Sequence, residues 1–222
     1  VRGVLGRDRG IALGVGLRHR IGPLDPWQMA AGGIVEAVAN VVAAGADPDR
    51  IALLDNFCWG DTRRPDSLGT LVEACRACHD VAVDLVAPFV SGKDSLNNVF
   101  AWTDADGKPR EISIPPTLLA TAMGQIDDVA RAITPDLKRA GSRLAVIGLT
   151  RDDLAGSQLE ALGIVEGGRV PEVHAPGCRT TFLAVAKAIR SGAVLACHDL
   201  SDGGLLAGLA EMAIGGRLGA TI

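Results

Sequence analysis

Glu36 and Asn40 stand four residues apart in an Ala- and Val-rich run, so a helix there puts a carboxylate and an amide oxygen on one face. That pair can share a hard cation such as Mg²⁺, or it can form a plain solvated face. Asp55 closes the apolar run 51–54, and in α/β folds residues beyond the carboxyl ends of strands line binding sites. An ordinary strand-end residue is the competing reading. A third group is Ser91-Gly92-Lys93-Asp94-Ser95, which ends a hydrophobic run. Gly-Lys near a hydroxyl evokes a phosphate loop, but Asp94 interrupts the pattern and no loop glycine precedes Gly92 at the required spacing. Lys93 can still meet phosphate as a mobile point charge, with Gly92 N–H and the Ser95 hydroxyl beside it. The fourth group is His198-Asp199-Leu200-Ser201-Asp202-Gly203-Gly204. Its glycines allow close backbone approach, and a helix after them offers free N–H groups to phosphate. A helix cap followed by a glycine turn accounts for the same residues.

Cys75-Arg76-Ala77-Cys78-His79 spells a haem-attachment pattern, but it lies inside a helical stretch and has no evident second axial ligand. No Cys or His pair follows at zinc-finger spacing. Cys58, Cys75 and Cys78 read as small buried hydrophobes.

The elements that must position these residues alternate. Strands are expected at 10–17, 51–57, 86–92 and 118–126, and helices at 29–44 and 68–84. A hairpin turning at Asp106-Gly107 fills 97–117. After a linker with a short helix, strands are expected at 143–150 and 193–199, and helices at 181–191 and 205–214. The fold class is α/β, or α+β, with a domain boundary around 125–140. Both ends fall within elements, so the chain reads as a piece of a longer one.

Of the 222 residues, 48% are apolar and 22% charged, and the formal net charge is -4, which suits a well-cored protein without a nucleic-acid footprint. No apolar run reaches membrane-spanning length and no signal peptide is evident, so a cytoplasmic location is the default. Five cysteines read as reduced thiols.

Taken together, "GGIVEAVANVVAAGADPDRIALLDNFCWG", "APFVSGKDSLNN", "IPPTLLATAMGQIDDV", "LAGS" and "ACHDLSDGGLLAGLAEMAIGG" occur in an order that resembles the phosphoribosylformylglycinamidine synthase family. The resemblance covers nearly the whole chain. It implies a two-domain unit like that of aminoimidazole ribonucleotide synthetase: 1–125 as part of an N-terminal-type domain of the second repeat, 126–222 as the start of the C-terminal-type domain. It implies an ATP-dependent ligase that turns formylglycinamide ribonucleotide and glutamine-derived ammonia into the amidine, with ADP and phosphate released. The implied cofactors are Mg²⁺ and ATP/ADP. The implied partners are a glutaminase domain or subunit and the other synthetase repeat or a second fragment, with no nucleic acid and no membrane.

By the same resemblance, Glu36, Asn40 and Asp199 match metal ligands and Ser201 a nucleotide contact, while Asp55, Gly92, Lys93 and Ser95 fall in a nucleotide and substrate region. Lys93 stands where the family has an amide, which makes phosphate contact the better role for it. The family's catalytic histidine has no counterpart here, and one family aspartate would fall before Val1. The alternatives are a non-catalytic nucleotide-binding half, or another synthetase of the superfamily such as a selenophosphate synthetase or a thiamine phosphate kinase relative.

Overall fold

The computed structural model describes residues 1–3 and 6–222. Its centre is a four-stranded sheet in the order β1 (Gly10–Leu17), β6 (Thr117–Ile126), β2 (Ile51–Cys58), β3 (Phe89–Ser95). β6 runs antiparallel to both β1 and β2, and β3 runs parallel to β2. A separate hairpin pairs β4 (Val99–Thr103) with β5 (Pro109–Ser113). Asp104 closes its turn by accepting from the Asp106 and Lys108 N–H groups, and Gly107 takes the positive φ the turn needs.

Helices α1 (Pro26–Ala43) and α2 (Pro65–Leu85) cover one face of the sheet, and α4 (Ala175–Arg190) packs across both. The remaining helices are α3 (Gln158–Ala161) and α5 (Gly204–Gly216). Met29, Ile34, Val38 and Val41 of α1 are buried against Leu53, Leu118, Ala120 and Ala122 of the sheet. Burial of each large aliphatic side chain contributes roughly 1.5–3 kcal/mol. Trp59 is fully buried, and its indole N–H donates to Thr70 Oγ1 at 3.0 Å.

Small residues decide how α1 meets β1. The inward positions Gly10, Ala12, Gly14 and Gly16 alternate with outward Leu13, Val15 and Leu17. A Cβ on Gly16 would stand 1.9 Å from Gly33 O, and one on Gly14 would stand 2.7 Å from Ala37 O. The helix therefore rests on bare strand backbone. The other face of the sheet stays open, with Leu13 64% and Val90 61% exposed.

α1, α2 and α4 begin three, three and six residues before the periodicity suggests. Each has proline in its first turn, where the missing N–H costs nothing. β3 continues through Ser95, so Ser91–Ser95 is strand and not a strand-end loop. The four-residue α3 had no expectation of its own. The runs 143–150 and 193–199 are not strands. A strand exists by its ladder, and no ladder includes these runs among the described residues. Leu144, Val146, Ile147 and Leu149 are exposed accordingly. No helix among the described residues is long and apolar enough to cross a membrane.

Candidate functional site

The expected site residues fall into two groups, at opposite edges of the sheet. Three strand spacings separate the edges, roughly 14 Å.

At the β1 edge, the close seat of α1 brings Glu36 and Asn40 against the outer rim of the strand. Glu36 Oε2 accepts from Leu17 N–H at 3.3 Å and from Arg18 Nε at 3.0 Å. Asn40 Nδ2 donates to Val15 O and to Glu36 O, both at 3.1 Å. These two side chains thus satisfy backbone groups that an edge strand would leave unpaired. Asn40 commits its amide N–H groups, and among the described residues its Oδ1 takes no hydrogen bond. Burial pushes the Glu36 carboxyl up, the Arg18 guanidinium pulls it back, and the Asp199 carboxylate adds a smaller upward push. Asp199, 163 residues from Glu36 in sequence, has therefore come within electrostatic reach of it.

Asp199 is the most telling residue of this edge. Its side chain is 6% exposed. Oδ1 is met by His198 Nδ1 at 3.0 Å, while Oδ2 is buried without a hydrogen-bond partner. The surroundings are poorly solvated: burial pushes the neighbouring Cys197 thiol up, with Asp199 adding to the effect. An unpartnered carboxylate oxygen screened from water is unfavourable, and a cation would relieve it. Glu36, Asn40 and Asp199 offer two carboxylates and an amide oxygen. That donor set fits Mg²⁺, which takes one or two carboxylates and completes its shell with water and phosphate. It is not a closed cage: among the described residues no three His, Cys, Asp or Glu side chains are placed to hold a metal ion by themselves.

Beside this group opens a cleft of about 330 Å³. Arg18, Arg20, Asp153, Gly156, Ser157 and the Ser201–Gly204 turn contribute to its lining. Gly203 and Gly204 both have positive φ and lead into the N-terminus of α5, where Gly204 N–H donates to Ser201 O at 3.0 Å and the Leu205 and Leu206 N–H groups have no acceptor within the helix. Ser201 thus faces a space that can hold a ligand.

The β3 edge is different. Asp55 pairs with Gly92, and Asn56 with Lys93, across the parallel ladder. A Cβ on Gly92 would stand 1.9 Å from Asp55 Oδ1, so glycine there leaves room for the carboxylate to lie over the strand. Burial pushes the Asp55 carboxyl up, Asp94 adds to this, and the Lys93 backbone N–H partly offsets both. Asp55 and Asp94 point to the helix side, where both also push the Cys75 thiol up after burial does. Lys93 and Ser95 alternate to the open face, where the Lys93 ammonium donates to Ser95 Oγ. Strand geometry thus divides the four residues between two faces, so Asp55, Gly92, Lys93 and Ser95 do not form one phosphate loop, and Ser201 belongs to the other edge.

Sequence reasoning gave no role to three polar residues at the β1 edge. Arg18 and Asp153 carried no local signal. His198 was visible beside Asp199, but its second contact, 2.8 Å from Nε2 to Glu211 Oε2, depends on α5 folding back. Burial pushes the Cys78 thiol up to about 12, which fits a packed hydrophobe and no metal or haem role.

Two family models match the chain: "AIR synthase related protein, N-terminal domain" over residues 5–126 and "AIR synthase related protein, C-terminal domain" over 139–222. The phosphoribosylformylglycinamidine synthase subunit PurL of Rhodopseudomonas palustris (strain BisB18) is 36% identical over 215 residues, covering 96% of this chain and 28% of the relative. The same subunit from Thermococcus gammatolerans is 35% identical over 198 residues, covering 89% and 26%. The chain thus spans little more than a quarter of these relatives' length. Among solved structures, T. maritima PurL complexed with FGAR superposes with a TM-score of 0.67 at 18% identity, covering 94% of this chain and 32% of that one. That likeness shows the shared fold.

Proposed function

The chain belongs to the AIR synthase related protein family, and from that premise we propose that it is part of an ATP-dependent ligase of the phosphoribosylformylglycinamidine synthase type. The complete protein would convert formylglycinamide ribonucleotide, ATP and glutamine-derived ammonia into the amidine, ADP and phosphate. The two PurL relatives support this reading through their identity over most of the chain. The portion in hand would serve as a Mg-nucleotide-binding half and not as the seat of the chemical step, since none of its residues carries the family's catalytic histidine.

Glu36, Asn40 and Asp199 would hold Mg²⁺. The ion would neutralise nucleotide phosphates and, in a turnover site, stabilise charge on the transferring group. Asp199 would supply an anionic oxygen through Oδ2. Glu36 would supply its second oxygen while Oε2 keeps Arg18 and the β1 rim in place. Asn40 would offer Oδ1 because its amide hydrogens are already engaged. Ser201 and the glycine turn would face phosphate. The observation that carries the reading is the buried, unpartnered Oδ2 of Asp199 within reach of Glu36.

At the β3 edge, Lys93 and Ser95 would form a separate anion contact on the open sheet face. Asp55 and Gly92 would shape the strand pair behind it. The same open face, apolar at Leu13, Val15 and Val90, favours packing against another synthetase repeat or a second copy. A glutaminase domain or subunit would deliver ammonia elsewhere in the assembly.

Calorimetric titration of the complete protein with MgADP tests the reading. Asp199→Asn should weaken binding on the order of tenfold or more, because it removes an anionic ligand oxygen. Equal affinity for the variant and the parent would contradict it.

A further inference from the structure

His198 stands between two carboxylates. Nδ1 is 3.0 Å from Asp199 Oδ1 and Nε2 is 2.8 Å from Glu211 Oε2. A carboxylate only accepts, so the ring is the donor in both contacts, through Nδ1 to Asp199 and through Nε2 to Glu211. The first of these takes one oxygen of Asp199 and leaves the other buried and unpartnered. Glu211 on α5, itself largely exposed, anchors the far side of the ring. The ring can therefore turn neither away from Asp199 nor flip without losing a charge-assisted hydrogen bond.

We infer that His198 is a positioning residue. It fixes the Asp199 carboxylate so that Oδ2 is presented to a divalent cation shared with Glu36, and Glu211 in turn fixes His198. The inference rests on the proposed cation site and adds to it the part that holds a ligand in one orientation. Such outer contacts commonly set metal affinity by about 10–100-fold. A carboxylate free to rotate would lose rotamer freedom on binding, or would turn Oδ2 toward some other donor. His198 removes that freedom in advance.

The test uses the complete protein with ADP and reads Mn²⁺ binding by electron paramagnetic resonance, alongside a thermal melt of each variant. Three substitutions separate the two ring contacts. His198→Asn places an amide N–H where Nδ1 stands, His198→Gln places one near Nε2, and His198→Ala removes both. The expected result is that His198→Asn keeps Mn²⁺ affinity within about threefold, while His198→Gln and His198→Ala lose about tenfold or more. A merely structural role would not favour the smaller Asn over Gln. Equal affinity across all variants overturns the inference, and so does an equal loss for Asn and Ala. Asp199→Asn run in parallel keeps the two ideas apart. If it binds Mn²⁺ like the parent, the cation site itself fails. If it loses Mn²⁺ while the three His198 variants do not differ, only the role of His198 fails.

Discussion

At the β1 edge a helix comes to rest on bare strand backbone, and polar side chains close the rim behind it. At the β3 edge the strand is left open, its residues divided between two faces, and its glycine makes room for a carboxylate. The first edge gathers residues from distant parts of the sequence, since Glu36, Asn40 and Asp199 belong to one neighbourhood. The second holds only what two adjacent strands bring. Coordination of a cation needs several oxygens held in place, which favours the first. Contact with an anion needs one mobile charge and a hydroxyl, which the second has in Lys93 and Ser95.

The contrast is broken most strongly by filling the glycines. Gly16→Ala should cost about 3 kcal/mol of stability, because its Cβ meets helix backbone that cannot move alone. It should also weaken divalent-cation binding by displacing Glu36. Gly92→Ala meets only the Asp55 carboxylate, which can swing aside, so about 1 kcal/mol is expected. Denaturant unfolding of the two variants checks the ranking, and equal costs would erase the distinction between the edges.

A smaller effect concerns how the chain enters the β3 edge. Val86 closes α2 with φ of 56°, a left-handed conformation that a β-branched residue resists. Val86→Gly should stabilise the protein by about 1 kcal/mol, seen as a higher unfolding midpoint. An unchanged or lower midpoint would mean that the cap carries no strain.

The smallest effect is pH-dependent. The folded state holds the Asp55 carboxyl above its ordinary value of 3.8, through burial first and Asp94 second. A raised carboxyl contributes stability below its unfolded value, and that contribution is lost as pH rises through the folded value. Asp94→Asn should shrink the loss from pH 4 upward, by less than about 1 kcal/mol because Asp55 is substantially solvated. Identical stability-pH curves for the parent and the variant would contradict this.

Much of the first 126 residues was legible. The apolar run Gly10–Leu17 and the apolar periodicity of α1 each matched one element, though every second residue from Leu13 on is exposed where a buried strand was expected, and Asp106-Gly107 placed the hairpin turn. The helices start earlier than apolar periodicity indicates because Pro26, Pro65 and Pro176 mark first turns, which carry no periodic signal. Ser91-Gly92-Lys93-Asp94-Ser95 has loop composition, but pairing with β2 overrides local preference. The later apolar runs have strand composition without a ladder. For the site, helical spacing was enough to join Glu36 to Asn40. It could not say that Asp199 would approach them, nor that Asp55 would face away from Lys93, because both follow from tertiary placement.

The central claim is that a divalent cation binds at the β1 edge and not at the β3 edge. Mn²⁺ titration of the complete protein with ADP, comparing Asp199→Asn with Asp55→Asn, tests it most directly. The account predicts a loss of about tenfold or more for Asp199→Asn and a change within about twofold for Asp55→Asn. The reverse pattern, with Asp55→Asn abolishing Mn²⁺ binding and Asp199→Asn leaving it intact, would contradict it.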